Sequence, residues 1–441
     1  MVLARAVTAA SWCCGQRPAS TRRLLSWDLR VAAFLLCASI GACDRSALAT
    51  SDPDVSVADS LVASWVDQKL IPGAVLLVAK DGQVLHEAAY GLASVADGVP
   101  MTPSTVFDLA SVTKVMATTL AMMVLSDRGE VLLDAPVSRY LTDFVGDGRE
   151  LVKVRDLLTH RSGLPQWVPT YYHASDKDEA YAYIRSLSLM WPAGKERNYS
   201  DLGFMLLGLI AEKVASQPLD EFVMRELYDP LGLESTAYRR VEVAGDKSMV
   251  SAEERVAVPP LADVVFARTS RGNPFERRMI HDLRFGYEIA GDADAWSEWR
   301  NWWLDGEVND GNAFHAFGGV AGHAGLFSTA RDLYVLLGLM LSRGEYEGNR
   351  LVSPETVANF LGPTGDRQAL GWQLPVYAPQ GSFGHTGFTG TFVLGVPDQG
   401  LALVLLTNRQ NFDVDENTEY PDVGPLQRAV TKAVAGVSLP N

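Results

Sequence analysis

Cysteine is scarce in this chain of 441 residues, and none lies beyond residue 43. The four are Cys13, Cys14, Cys37 and Cys43. The rest of the chain therefore has no thiol with which to form a disulfide, act as a nucleophile or ligate a metal. Any chemistry performed there has to come from other side chains.

Positive charge is also in short supply. The chain holds 38 lysine and arginine residues against 53 aspartate and glutamate residues, which gives a formal net charge of -15. Such an acidic chain repels the phosphates of nucleic acids and of anionic lipids. We therefore expect no nucleic-acid partner. Because 47% of the residues are hydrophobic, we expect one or two compact domains with a sizeable core.

The spacing of the histidines offers no metal site. None of the seven belongs to a His-Glu-x-x-His pattern or to a short pair: His86, His160, His173, His281, His315, His323 and His385. The acidic stretch from Asp305 to Asn312 lacks the ligand spacing of a calcium loop, and we interpret it as a solvated loop. We therefore predict no metal and no other cofactor.

Long apolar runs are missing except near the start of the chain. Residues 31–40 (VAAFLLCASI) are apolar, basic residues precede them and small residues follow. This order is typical of an export signal, and ten residues are too few to span a bilayer. We predict a signal peptide over residues 1–42, a tether over 43–56 and an exported protein.

The end of this signal leaves two alternatives open. Residues 40–43 (Ile-Gly-Ala-Cys) resemble a bacterial lipobox, which implies cleavage before Cys43 and lipidation of its thiol. The alternative is simple cleavage near Ala42 or Ala49. The protein is then either a membrane-anchored lipoprotein or a periplasmic one, and a lipid on Cys43 is the only membrane contact that we expect.

Strand patterns occur at both ends of the remaining chain. Helical spacing over residues 58–70 is followed by apolar runs at 74–79 and 84–89 around a turn. Three more strands are predicted at 381–387, 391–396 and 401–407, and a helix over 423–437. Because the middle reads as helices and loops, the two strand groups can share one sheet only if the middle is a helical insertion. We expect a sheet domain of residues 57–125 and 325–441, and a helical domain of 126–324.

A serine and a lysine share one helical face near residue 111. Ser111 and Lys114 stand at the start of an apolar helical pattern that runs to about Ser126, and they form the only Ser-x-x-Lys pair in the chain. An amine three residues after a hydroxyl can approach it and assist a base if burial lowers its pKa. The alternative is an ordinary helix start with a serine near its cap.

Two further polar segments carry candidate functional groups. Tyr199 and Asp201 precede an apolar helix, where the phenol could exchange a proton if a cation such as Lys114 favours its phenolate. The alternative is a packed tyrosine followed by a helix cap. Residues 384–391 (GHTGFTGT) put three glycines and several polar side chains on a strand, as expected of a substrate-binding edge. A glycine-rich bend with a surface histidine is the alternative.

The three segments Ser-Val-Thr-Lys, Tyr-Ser-Asp and His-Thr-Gly, in this order, resemble the motifs of the serine β-lactamases and penicillin-binding proteins. The likeness is closest to the class C β-lactamase-related group, with its DD-carboxypeptidases, D-aminopeptidases and family VIII esterases, and spans about residues 55–435. It implies an α/β (α+β) fold of the β-lactamase/transpeptidase type, with a five-stranded antiparallel sheet flanked by helices. Segments 156–165, 191–194 and 318–333 also resemble this group, and we treat them as scaffold loops.

The resemblance also implies a role for each candidate. Ser111 would form an acyl-enzyme while Lys114 and Tyr199 move its proton, with the backbone N–H groups of Ser111 and Phe388 as the oxyanion hole. The remaining candidates would orient the substrate or edge the site: Asp201, His385, Thr386 and Gly387. The implied activity is hydrolysis of esters, amides or D-amino-acid peptides, with a small molecule or a peptidoglycan-type group as acyl substrate.

Two positions depart from the family pattern. His385 stands where β-lactamases and many carboxypeptidases have a lysine, and a neutral histidine binds a carboxylate weakly. Asp201 replaces the more common asparagine and adds a negative charge. Both changes disfavour efficient penicillin hydrolysis and favour esters, amides or D-amino-acid peptides with a neutral or cationic group at that point. A domain of the same fold that binds penicillin or senses it with little turnover is the alternative function.

Overall fold

The computed structural model describes residues 53–241, 264–282, 287 and 296–436. The predicted signal peptide and Cys43 lie outside the described residues. The α-helices in this part of the chain are α1 Val55–Asp67, α2 Leu120–Asp127, α3 Val154–Leu158, α4 Lys177–Ser186, α5 Asp201–Ala215, α6 Leu219–Val223, α7 Pro274–His281, α8 Gly311–Phe317, α9 Ala330–Leu341, α10 Pro354–Leu361 and α11 Gly424–Ala435.

The strands are mostly short, apart from those at the centre of the main sheet. They are β1 Gly73–Lys80, β2 Gln83–Ser94, β3 Val99–Pro100, β4 Phe107–Asp108, β5 Ala237–Tyr238, β6 Leu326–Ser328, β7 Glu345–Tyr346, β8 Asn349–Arg350, β9 Phe383–Thr386, β10 Phe392–Val396 and β11 Leu401–Thr407.

One antiparallel sheet joins the two ends of the chain. Its strand order is β3-β2-β1-β11-β10-β9, so β1 pairs with β11 across more than 300 residues of sequence, with Leu77 opposite Val404. The prediction that both strand groups share a sheet is confirmed. The five predicted strands are all present, and the two-residue β3 extends the sheet at its edge.

Helices cover both faces of this sheet. On one face, Leu76 and Leu403 pack with α1 and α11 in a cluster that includes Val62 and Val430. On the other face, Leu77 packs in a larger core with residues of α2 and α9. Because side chains alternate between the two faces of a strand, the unbroken apolar run of β1 is buried on both sides, which explains its composition.

The long middle of the sequence adds helices α2 to α8 and a second, three-stranded sheet of order β4-β6-β5. This small sheet matters for function because β4 leads directly into Ser111. The described residues from Pro53 onward belong to one compact unit. The boundaries of a sheet domain and a helical domain at residues 126 and 325 remain a prediction.

The tryptophan-rich segment after residue 295 packs rather than standing free. Trp296 stacks on Tyr171 with a ring-centroid distance of 5.0 Å and meets Trp299 edge-on at 4.8 Å. Both tryptophans pack against a small buried cluster that contains Trp167.

Among the described residues, no helix is long and apolar enough to cross a membrane alone. The bent pair of α5 and the chain from Leu219 to Leu231 passes such a test on length and composition only.

Candidate active site

Ser111 sits on a strained turn between β4 and a buried helix. Ala110, the residue before it, has a φ of +45°, a conformation that residues with a side chain seldom adopt and that clusters at functional sites. A short 3-10 turn, Ala110–Val112, and a π-helical turn, Lys114–Thr119, then lead into α2. The helix predicted here is therefore present, but its first two turns are irregular, as is common at functional sites.

Lys114 lies directly behind the hydroxyl of Ser111 and has a fully buried side chain. Its Nζ donates a hydrogen bond to Ser111 Oγ at 2.9 Å and another to the backbone oxygen of His323 at 3.0 Å. It also forms an ion pair with Asp201 Oδ1 at 2.7 Å. The predicted approach of the amine to the hydroxyl is thus present, with Asp201 as a third partner.

Tyr199 reaches the same place from the start of α5. Its phenol interacts with both Ser111 and Lys114, and its ring lies against His160 with a centroid distance of 4.5 Å. The next residue, Ser200, caps α5 by accepting from the N–H of Gly203 and donates its own N–H to His160 Nδ1. The cap expected here and the functional placement of Tyr199 therefore occur together, with His160 behind them as scaffold.

The charges at this centre set the protonation of both groups. Burial on its own would lower the pKa of Lys114, but the interactions with Asp201 and Tyr199 together outweigh it and raise that pKa above its usual range. Burial, supported by Asp201, also raises the pKa of Tyr199 against the opposing effect of Lys114. From the sequence, we expect Lys114 to assist a base if burial lowers its pKa, but in the structure that pKa is raised. The resting site therefore holds an ammonium and a neutral phenol.

The third predicted segment forms the opposite wall of the site. Thr386, Gly387 and Phe388 line a cavity of about 400 Å³ together with Ser111 and Tyr199. Position 387 requires a glycine because the backbone of Leu109 lies close to it: a Cβ there would be 2.4 Å from the Leu109 backbone oxygen. This contact sets the segment of Gly387 and Phe388 against the backbone just before Ser111, and Phe388 and Ser111 line the same cavity. That their two N–H groups form an oxyanion hole remains a prediction.

His385 lies behind this wall and is neutral. Its Nδ1 donates to the backbone oxygen of Thr386 at 2.8 Å, and its ring is 6.1 Å from that of Tyr199. Burial, followed by the charge of Lys114, lowers the pKa of His385 to about 3. This position therefore provides no positive charge for a substrate carboxylate, in line with the departure noted in the sequence.

The interpretation of the acidic stretch from Asp305 to Asn312 as a solvated loop holds for the exposed Asp305 but is wrong for its second half. Asn309 and Asn312 are buried, and the carboxylate of Asp310 both caps α8 and contacts the His323 ring at 2.9 Å. His323 in turn holds Lys114 through its backbone oxygen. Asn309, Asp310 and His323 thus form a backing layer behind Lys114. Sequence reasoning missed this layer because polar residues alternate there as they do in exposed loops.

No cluster of residues suited to a metal ion occurs in the described chain.

Comparison with known protein families identifies the family of this chain. The Beta-lactamase family profile matches residues 58–424, a span that contains all three motifs. The chain belongs to the β-lactamase family. It is a serine hydrolase of that family, and the β-lactamase/transpeptidase-like fold expected from the resemblance is confirmed.

Individual relatives of this β-lactamase-family hydrolase cover most of its length. It is 33% identical over 384 residues to the N-acetylmuramyl-L-alanine amidase of Bacillus subtilis, covering 80% of each chain. It is 30% identical to the "Putative D-alanyl-D-alanine carboxypeptidase" of Escherichia coli K12, covering 81% of this chain and 84% of the relative. A penicillin-binding protein homologue from Caulobacter crescentus shares its fold with a TM-score of 0.62 at 19% identity, over 86% of this chain and 96% of the other.

The proton-relay assignment predicts large losses of activity from two single substitutions. Lys114→Ala and Tyr199→Phe should each lower kcat for a short-chain p-nitrophenyl ester by about 10² or more, because each removes a group that moves the Ser111 proton. The measurement is steady-state hydrolysis by purified protein. Lys195→Ala, a change of an exposed side chain, should remain near the wild-type rate. Wild-type turnover in either site variant would rule out the relay.

The ion pair predicts a shifted pH profile in Asp201→Asn. Since Asp201 raises the pKa of both Lys114 and Tyr199, the wild-type kcat/KM should still be rising above neutral pH as this pair begins to lose a proton. Removing the negative charge should move the ascending limb to lower pH by about one unit or more. Asp147→Asn, which changes an exposed carboxylate, is the control. An unmoved limb in Asp201→Asn would contradict the assignment.

Proposed function

We propose that this protein is an exported hydrolase of amide bonds in peptidoglycan-type peptides, with a preference for a leaving amino acid that carries a free carboxylate. The observation that carries the proposal is the cavity beside Ser111. It extends from the nucleophile, past Thr386, to the start of α11, and polar groups line much of it. An extended peptide end fits such a lining better than an apolar ester chain does.

The charge on the cavity wall supports a carboxylate at its far end. Arg409 is the only basic residue among those that line the cavity in the described chain. Its Nε and Nη1 donate to the backbone oxygens of Phe388 and Pro421, which leaves further guanidinium hydrogens for a ligand. Arg409 would replace the charge that the neutral His385 lacks. Asp422, which accepts from the N–H of Gly424 on the same wall, interacts electrostatically with Arg409 and partly offsets its positive charge.

The proposed reaction is acyl transfer in two steps. In the form of the site that has lost one proton from the Tyr199 and Lys114 pair, Ser111 Oγ attacks the substrate carbonyl and passes its proton to that pair, while the N–H groups of Ser111 and Phe388 stabilise the oxyanion. The pair then gives a proton to the nitrogen as the C–N bond breaks and the amine leaves. Water attacks the acyl-enzyme in the second step, which releases the acid and restores the Ser111 hydroxyl.

The relatives support the substrate class. The Bacillus subtilis relative is named for cleavage of an amide between a sugar acid and a peptide, and the Escherichia coli relative for cleavage at a D-alanyl-D-alanine end. Both are amide bonds of the same polymer. Arg409 favours the second of these bonds, because that cleavage releases an amino acid with a free carboxylate.

A slow penicillin-binding or sensor protein is the second candidate. The raised pKa of both Lys114 and Tyr199 favours it, since a resting site without a ready base turns over slowly at neutral pH. Stoichiometric labelling by fluorescent penicillin without measurable peptide turnover would support this candidate. Ser111→Ala should abolish the label in either case.

The substrate proposal predicts release of D-alanine from an N-acylated D-alanyl-D-alanine peptide. Arg409→Gln should lower the ratio of kcat/KM for this peptide to that for its C-terminally amidated form by about tenfold or more, which corresponds to about 1.4 kcal/mol of carboxylate binding. Taking the ratio cancels damage that is common to both substrates. An unchanged ratio would remove Arg409 from carboxylate recognition. Release of peptide from a muropeptide instead of D-alanine would move the activity to the other bond.

We also propose that the protein is exported and anchored through a lipid on Cys43, on the evidence of the leader sequence alone. A bacterial host should then incorporate radioactive palmitate into the wild-type protein and recover it in the membrane fraction. Cys43→Ser should lose both the label and the membrane association, while Cys37→Ser should keep the label. A soluble, unlabelled wild-type protein would favour simple cleavage.

A further inference from the structure

A buried carboxylate stands three residues before the nucleophile and takes no part in the proton transfers. Asp108 ends β4 and is 2% exposed. One of its oxygens, Oδ1, accepts the N–H of Ala110 at 2.8 Å, and the other, Oδ2, accepts the N–H of Asn309 at 2.6 Å. A single side chain thus ties the strained residue before Ser111 to the backing layer of the site.

The backbone around Asp108 is tied to the other half of the oxyanion hole. The hydroxyl of Thr389 donates to the backbone oxygen of Asp108 at 2.7 Å, and the hydroxyl of Thr391 donates to that of Leu109 at 2.9 Å. Both threonines belong to the loop that carries Phe388. The segments that hold the two oxyanion donors therefore meet at Asp108.

The backbone conformation of Ala110 shows what the hydrogen bonds of Asp108 stabilise. Its φ of +45° is unfavourable for alanine, and such a conformation persists only where its surroundings hold it. The bond from its N–H to Asp108 supplies such a hold. The next peptide unit ends in the N–H of Ser111, so any relaxation at Ala110 turns that N–H away from the substrate oxygen.

We propose that Asp108 is a positioning residue that holds the Ser111 and Phe388 halves of the oxyanion hole in register. The proposal rests on the proposed role of Ser111 as nucleophile, but not on the identity of the substrate. Asp108 does not touch the reacting atoms. Its effect is on the stabilisation of the oxyanion, and hence on kcat rather than on KM.

The charged environment of Asp108 gives the proposal a pH signature. Burial raises the pKa of its carboxyl to about 6 against the opposing N–H bonds of Asn309 and Ala110, with Asp310 raising it and Arg300 lowering it further. Above this pH the carboxylate accepts from both N–H groups. Below it, one oxygen carries a proton and loses an acceptor position. Below about pH 6, kcat should therefore fall more steeply than the Lys114 and Tyr199 pair alone makes it fall, and this additional fall is the acid limb of Asp108.

Asp108→Asn tests the proposal while keeping the shape of the side chain. Its amide NH₂ has to face one of the two N–H donors, so the turn relaxes. We expect kcat for a p-nitrophenyl ester to fall about 30-fold or more with KM within threefold, after normalisation to the fraction of protein that a fluorophosphonate labels. The acid limb near pH 6 should disappear. Wild-type kcat together with a retained acid limb would overturn the proposal.

Glu276→Gln is the matched control, since Glu276 is also buried and accepts a backbone N–H, that of Gly311 at 2.8 Å. This variant should keep both kcat and the acid limb, whereas loss of the limb in Glu276→Gln would overturn the assignment to Asp108.

If Asp108→Asn fails to fold, Thr389→Val tests the proposal from the Phe388 side, because it removes the hydrogen bond to the backbone oxygen of Asp108. Thr389→Val should lower kcat while retaining the acid limb, and unchanged kcat would count against the proposal. A protein that cleaves the ester but not the peptide would refute the proposed substrate alone.

Discussion

The site depends on the solvation of one buried ammonium. Lys114 Nζ donates to the Ser111 hydroxyl and to the backbone oxygen of His323, pairs with the Asp201 carboxylate and also contacts the Tyr199 phenol. Water cannot replace any of them at a fully buried position, and an uncompensated charge there would be costly. The nucleophile turn, the start of α5 and the loop after α8 are therefore held at fixed distances from one point.

The same pairing sets the electrostatics that a substrate meets. Asp201 balances the charge of Lys114, and His385 is neutral because it is buried beside that ammonium. The centre thus carries almost no net charge, where a family member with a lysine in the third motif would be positive. In the function that we propose, the attraction for an anionic group comes instead from Arg409, which lines the cavity. The two departures in the motifs therefore act together.

The motifs and the sheet were predictable because they depend on local patterns. A short apolar run after a turn defined the strand Leu401–Thr407 to the residue, and helical spacing placed Lys114 on the same side as Ser111. The backing layer was not predictable in this way. Asn309, Asp310 and His323 are polar residues whose burial depends on partners such as Asp108, 201 residues before Asn309 in the chain. The irregular turns before α2 arise from the same packing, as does the strain at Ala110.

The union of β1 with β11 brings the two ends of the fold together. The N–H of Asp54, just before α1, donates to the backbone oxygen of Ala433 near the end of α11 at 3.2 Å. A linker of a few residues would therefore suffice to close the folded region into a ring. The chain could then be opened at an exposed hairpin tip such as Gly348 without dividing any core strand. In such a permuted chain, the three motifs would occur in a different order along the sequence while keeping their places in the fold.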